Sequence, residues 1–388
     1  MFLRFSFFLF FFFFISCTNS VISVDKDGFI SNSYYNKSKV NTFELSDVSK
    51  DYILDKKLII PKNHTFLIKS GVTLNLKGDG LIVNNGNLII GDNNFIDNSI
   101  YIINNNHTDS FYTYNNYIYS NNKKNNPNIL LNSGSSFNLN NTFLKNLNVK
   151  LLSSNITFDN CILNNIFFNN KNSHFSIKNS FIEYSVLNFN SSFVNFNNSL
   201  FYKNKEVSFN YNKELTINNC IIYSSKNGII FDNSFKNNII NSVFNKNNNA
   251  LIINNTNYIK FYNNLFKENN NVYKSLDSSE VFFLNNTFDK NKNVFNISIN
   301  KPCYKSIISK NNIYINNINN FDLNNFKIIN SYCISNNDSL KGYYNLKTSI
   351  IYDNNYNLNI NSPAIKMGLN NSNIGVNINN INIIKYLN

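Results

Sequence analysis

From residue 140 onward one short phrase recurs about every 20 residues, and this period constrains the fold more tightly than any single residue does. The phrase is one or two Asn, a small or β-branched residue, then a large apolar residue. It reads Asn140-Asn141-Thr142-Phe143, Asp159-Asn160-Cys161-Ile162, Lys178-Asn179-Ser180-Phe181, Asn197-Asn198-Ser199-Leu200 and Asn218-Asn219-Cys220-Ile221. Further copies are Asn241-Ser242-Val243-Phe244, Asn263-Asn264-Leu265-Phe266, Asn285-Asn286-Thr287-Phe288, Asn311-Asn312-Ile313-Tyr314 and Asn330-Ser331-Tyr332-Cys333. With the last residue of each phrase as anchor, successive gaps are 19, 19, 19, 21, 23, 22, 22, 26 and 19. The apolar anchor keeps step with the Asn, so the repeat is not a by-product of Asn abundance.

Between anchors lie two further short β-rich runs, such as Val207-Ser208-Phe209 and Leu215-Thr216-Ile217. Three strands of three to five residues within about 20 residues make one coil of a parallel β-helix. Leucine-rich repeats share the period, but the Leu framework they need is absent. Coils stack at about 4.8 Å, so equivalent residues form columns. Asn141, Asn160, Asn179, Asn198, Asn219, Asn264, Asn286 and Asn312 are expected to occupy one turn column, where Asn tolerates left-handed angles and bonds the Asn of the next coil. The anchors are expected to point inward. Lys246, Glu268 and Lys290, then Lys267 and Asp289, and Asp159 with Lys178, read as compensating charges on adjacent coils, each pair contributing at most about 1 kcal/mol.

Upstream, the stretch KLIIPKNHTFLIKSGVTLNLKGDGLIVNNGNLIIG (57–91) holds short strands punctuated by Gly. It resembles the opening coils of bacterial proteins of the pectin-lyase-like superfamily. Ser362-Pro363-Ala364-Ile365-Lys366-Met367-Gly368 followed by Asn373-Ile374-Gly375 is similar to the terminus of many such surface proteins, with Lys366 and Asn373 in place of the usual acids. The resemblance implies an all-β chain: a single right-handed parallel β-helix of about 12 coils with a short C-terminal cap. The expected organisation is a signal peptide at 1–16, an N-terminal linker and cap at 17–57, the β-helix at 58–353 and a cap segment at 354–388. The polar insert 104–128 reads as a loop or distorted coil.

About a quarter of the 388 residues are Asn and only 15% are charged, yet 43% are hydrophobic, with 37 Phe and 23 Tyr, so a packed core is accessible and disorder is not expected. The net charge is +13, and Arg4 is the only arginine. The lysines are scattered, so no nucleic-acid partner is expected. Met1 to Ser16 has the form of a secretory signal: Arg4, then a Phe/Leu/Ile run too short to span a bilayer. Its end, Phe14-Ile15-Ser16-Cys17, resembles a bacterial lipoprotein signal, which implies lipidation of Cys17 and a membrane anchor without a transmembrane helix. Cys161, Cys220, Cys303 and Cys333 fit neither a zinc site nor a disulfide framework and read as isolated buried thiols.

The signatures of related enzymes are missing. Past Arg4 there is no Arg to serve as a lyase base, no column of acids for calcium, and none of the paired-carboxylate motifs of polygalacturonase-like hydrolases. Lys178, Asp159 and Glu183 form the one local cluster to name as weak catalytic candidates. His64, His107 and His174 are assigned to turns or loops, and no metal or cofactor is expected. The reading is an exported, lipid-anchored, monomeric cell-surface protein that binds a glycan or serves a structural role. The alternative is a polysaccharide lyase or glycoside hydrolase with a non-standard site.

Overall fold

The computed structural model describes residues 18–30, 34, 41–91, 116–120, 128–275, 279–298, 306–324, 327–336, 340–353 and 355–381. Their regular structure is β apart from short 3-10 turns. The strands form three parallel sheets. The first has 15 strands, from Thr18–Val21 to Leu346–Lys347; the second has 12, from Lys57–Ile60 to Asn319–Asn324; the third has 14, from Thr42–Leu45 to Gly342–Tyr343. The chain visits them in turn. Ile162–Asn164, Phe167–Lys171 and His174–Lys178 make one coil, and Phe181–Glu183 pairs back onto Ile162–Asn164. The result is a single parallel β-solenoid, consistent with the right-handed winding that parallel crossovers favour.

The solenoid begins earlier than residue 58. Thr18–Val21 pairs with Lys50–Leu54, which pairs with Thr73–Leu76, so the segment expected as linker and cap already carries strands. Within the insert at 104–128, Asn116–Ser120 pairs with Thr73–Leu76 on one side and Thr142–Lys145 on the other. It is a strand of the first sheet, and the rest of the insert up to residue 127 lies outside the described residues.

Each coil turns at three corners, and from Asn141 to Glu268 every corner has one residue in the left-handed conformation. In one coil these are Asn160, Asn165 and Asn172, with φ of 52°, 52° and 55°. Asn tolerates this angle better than other residues with a side chain. The residue after it is buried, and here the coils are stitched together. The backbone N–H of Cys161 donates to Ser180 Oγ (3.0 Å), that of Ser180 to Ser199 Oγ (3.1 Å) and that of Ser242 to Asn264 Oδ1 (2.9 Å). Asn264 and Asn286 continue the series onto the Oδ1 of Asn286 and Asn312 (2.9 and 2.7 Å). Their side-chain amides also donate to the backbone carbonyls of Ile239 and Phe261.

The eight asparagines expected in one column therefore stand in two. Asn141, Asn160, Asn179, Asn198 and Asn219 hold the left-handed corner, whereas Asn264, Asn286 and Asn312 hold the buried position that follows it. The pairing Ile221↔Val243 gives a true step of 22 residues there, against the anchor gap of 23. A one-residue offset in a strand moves a side chain to the opposite face. Phe244, Phe266, Phe288 and Tyr314 point inward as expected and stack along the axis with centroids 4.9, 5.1 and 4.9 Å apart. The earlier anchors Ile162, Phe181, Leu200 and Ile221 face outward instead, and their neighbours Leu163, Ile182, Phe201 and Ile222 fill the core.

Those outward side chains are nonetheless buried. With Val243 and Leu265 they form a second apolar cluster with Val376, Ile378 and Ile381 of the C-terminal segment. That segment runs back across the coils: Gly375 N–H donates to Asn311 O (2.7 Å), Val376 N–H to Thr287 Oγ1 (3.1 Å) and Asn377 N–H to Asn263 Oδ1 (2.6 Å). Gly375 has φ +88°, and a Cβ there would meet Ile313 Cδ1 at 2.4 Å, so the crossing requires glycine. Asn373 Oδ1 accepts from Lys366 N–H, which closes the turn of the cap.

Two stability predictions follow from this packing. Asn286→Ala removes the acceptor of a buried N–H and the donor to a buried carbonyl, so it should cost at least about 2 kcal/mol, read as a lowered urea midpoint. Asn286→Ser, which restores the hydroxyl acceptor used at Ser242, should cost less. Asn237 lies between Leu215 and Ile259 in an inward apolar column, fully buried, with neither amide atom hydrogen-bonded. Asn237→Leu should raise the midpoint by the equivalent of about 1–3 kcal/mol.

Candidate functional site

Strand alternation sends every second residue of the third sheet outward. Between Asn155–Asp159 and Glu214–Asn218 these residues make three columns. The central one, Thr157, Ser176, Asn195 and Thr216, is made of short hydrogen-bonding side chains in register. One flanking column is Asn155, His174, Phe193 and Glu214; the other is Asp159, Lys178, Asn197 and Asn218. The centre and the first flank line a trough of about 560 Å³, within the usual range for ligand sites.

The wall of the trough is aromatic and cationic. The His174 and Phe193 rings stack with centroids 4.7 Å apart and 2° between planes, and Lys213 Nζ lies 5.5 Å from the Phe193 centroid. His174 opens the strand His174–Lys178, so it is not in the loop expected from sequence. His64 does fall beside a turn, and His107 lies outside the described residues. The sequence signal for this wall was present: Asn155, His174 and Phe193 recur at the coil spacing of 19 residues, but an outward column varies in chemistry and does not read as a motif.

The structure brings together two of the three catalytic candidates. Lys178 Nζ is 3.9 Å from Asp159 Oδ2 on the opposite edge of the same face, and both side chains are at least 40% exposed. Asp159 Oδ1 also accepts from Asn179 Nδ2 (2.9 Å). Glu183 stands on the first sheet, where its Oε1 accepts from Asn164 Nδ2 (2.5 Å). Burial pushes its carboxyl up, against the opposing pull of that hydrogen bond and of Lys203 and Lys145. It does not share the face of the other two.

The paired charges expected from the repeat fall partly into place. Lys246 and Lys267 both reach Glu268, at 3.8 and 3.6 Å. Asp289 is buried and accepts from Tyr356 Oη (2.5 Å) and Asn316 Nδ2 (3.1 Å), so it fastens the cap. Cys161, Cys220 and Cys333 are buried free thiols, and burial pushes the first two up to about 12. Cys303 and Cys17 lie outside the described residues. No group of three or more His, Cys, Asp or Glu is placed to hold a metal ion among the described residues. A second ladder of buried asparagines, Asn247, Asn269, Asn291 and Asn317, occupies the corner between the first and second sheets and was missed in the repeat phrase.

No protein-family model matches the sequence, and no curated protein shows significant similarity to it. Among solved structures the chain is similar to tailspike protein 3 of bacteriophage CBA120, at 12% identity and a TM-score of 0.45, over 80% of this chain and 55% of that one. It spans about half the length of that tailspike. A mutant of the periplasmic alginate epimerase AlgG matches at 12% identity and a TM-score of 0.45 over 83% of this chain and 81% of the other. The surface adhesin PfbA of Streptococcus pneumoniae matches at 11% identity and a TM-score of 0.30, over 72% and 82%.

Proposed function

We propose that this protein is an exported, lipid-anchored surface protein that binds a carbohydrate chain in the trough of the third sheet. The observation that carries this reading is the trough itself. Its floor of Thr157, Ser176, Asn195 and Thr216 offers donors and acceptors at every coil, and the Phe193 ring with Lys213 beside it forms a wall. Hydroxyl-rich ligands need such a dense row of polar partners, and aromatic rings take up their C–H faces. The chain has no Trp, so that stacking falls to Phe and Tyr.

Binding is favoured over catalysis because the described lining of the trough brings no two carboxylates together. Its one lining acid is Glu214, and Asp159, on the far flank of the same face, is already engaged by Lys178 and Asn179. Export and anchoring rest on the Met1–Cys17 sequence alone.

A panel of neutral and acidic oligosaccharides, read by titration calorimetry together with reducing ends and unsaturated uronate, tests the binding reading. Phe193→Ala should weaken binding by about fivefold to tenfold with an unchanged circular dichroism spectrum, since the ring faces out of the core. Turnover that Lys178→Ala abolishes would establish the lyase or hydrolase reading instead. For the anchor, wild-type protein should incorporate fatty acid and fractionate with membranes, and Cys17→Ala should do neither.

A further inference from the structure

Lysines that are scattered in the sequence fall into line on one edge of the solenoid. Resting on the anchored reading above, we propose that the corner between the first and second sheets is a membrane-facing ridge, on which the solenoid lies side-on against an anionic lipid surface.

Each coil leaves the first sheet through a left-handed residue, and in five successive coils that residue is Lys203, Ser224, Lys246, Glu268 and Lys290. The backbone of each is tied to the next coil: Lys203 N–H donates to Tyr223 O (2.9 Å), Lys246 N–H to Lys267 O (3.1 Å) and Lys290 N–H to Ile315 O (3.2 Å). Lys205, Lys226 and Lys292 belong to the same turns, two residues further on. All six of these lysines are exposed. The acids of the corner are withdrawn: Glu183, Glu206 and Glu268 are part-buried and Asp289 is buried. Glu268 is taken up by Lys246 and Lys267, Glu183 accepts from Asn164, and Asp289 accepts from Tyr356. Over the same coils, among the described residues, the corner between the second and third sheets carries exposed Lys171, Lys213 and Lys236 beside exposed Glu214, and the remaining corner carries Lys178 paired with Asp159. The positive charge therefore gathers on one edge. Its members stand one or two coils apart in the chain, so no run of charge shows in the sequence.

Tyrosines stand beside the ridge. Tyr184, 43% exposed, holds the left-handed position one coil before Lys203, and its ring lies 6.3 Å from that of Tyr202. The Tyr202 and Tyr223 rings stack 5.6 Å apart, with Lys203 Nζ 4.9 Å from the first centroid and Lys246 Nζ 5.9 Å from the second. Rings with a polar tip and ammonium groups on long apolar stems are the side chains that settle at the level of lipid headgroups. Clustered lysines are drawn to anionic leaflets within a screening length of the surface. A projecting corner offers its cations to a plane, whereas a chain-like polyanion is held in a groove.

The anchored end of the chain is on the same edge. Thr18–Val21, which begins at the residue after Cys17, is the first strand of the first sheet. Val21, 55% exposed, heads the column that runs through Ile53, Asn75, Tyr119 and Lys145 to Tyr202 at the lip of the ridge. Seven inter-strand steps separate Val21 from Tyr202, about 34 Å at about 4.8 Å each. An acyl chain on Cys17 pins this edge at one end, and the lysines hold it from seven coils along. In a three-sided coil the third sheet lies opposite that edge, so the trough faces away from the bilayer.

The test places the intact protein in vesicles of phosphatidylcholine alone or of equimolar phosphatidylcholine and phosphatidylglycerol, and maps lysine acylation by a water-soluble reagent with mass spectrometry. On the anionic vesicles Lys203, Lys226, Lys246 and Lys290 should react at least about fivefold more slowly than on the neutral ones, while Lys171, Lys213 and Lys236 react alike on both. Salt at about 1 M, where the screening length falls to about 3 Å, should remove the difference. Lys203→Gln, Lys226→Gln, Lys246→Gln and Lys290→Gln combined should restore the reactivity of Lys205 and Lys292 on anionic vesicles, with an unchanged circular dichroism spectrum. Equal reactivity of the ridge on both vesicles, in protein that carries fatty acid at Cys17, would overturn the ridge and uphold the anchor. The expected footprint from protein that carries no fatty acid would uphold the ridge and sink the anchor. Stronger protection of the same lysines by a soluble acidic oligosaccharide or oligonucleotide than by the vesicles would rule out the lipid surface as the partner.

Discussion

The structure depends on how the backbone is satisfied at its corners. A parallel strand ladder pairs N–H and C=O groups along each sheet, but at every turn the chain leaves one sheet before it joins the next. A buried N–H without a partner there costs about 1–3 kcal/mol. This chain answers with side chains: the oxygen of a buried Ser or Asn accepts the corner N–H of the adjacent coil, at Ser180, Ser199, Asn264, Asn286 and Asn312 between the third and first sheets. Ser185, Asn204, Asn247 and Asn269 do the same at the next corner. Because each bond joins neighbouring coils, stability is distributed along the axis as nearest-neighbour contacts.

The corner chemistry also decides what the faces can carry. Once the corners are fixed by short buried polar groups and left-handed residues, the strands between them need only alternate, and their outward positions are unconstrained by packing. The first sheet spends its outward face on the cap, which lies across Ile221, Val243 and Leu265. The third sheet leaves its outward face open, and there the polar floor and the His174–Phe193 stack lie side by side. One solenoid thus separates a sealed face from an open one.

The candidate site was less legible in the sequence than the fold for a physical reason. Core and corner columns repeat in kind because every coil meets the same packing and the same orphan N–H. An outward column has no such demand, so Asn155, His174, Phe193 and Glu214 follow one another without a shared property. Asp159 and Lys178 were visible as a pair because opposite charges one coil apart signal each other, whereas Glu183 looked near in sequence and stands on another sheet.

The 20-residue period, the three short strands per unit and the Asn at the turns were determined by the sequence alone, since each follows from local backbone preference and strand length. Which face an anchor takes was not, because the period of a strand is two and one unnoticed residue near Ile221 reverses inside and outside. The second apolar cluster was equally hidden. Ile162, Phe181 and Leu200 look like core residues in any coil, and only the return of residues 374–381 across the first sheet, some 200 residues later in the chain, gives an outward apolar column somewhere to be buried.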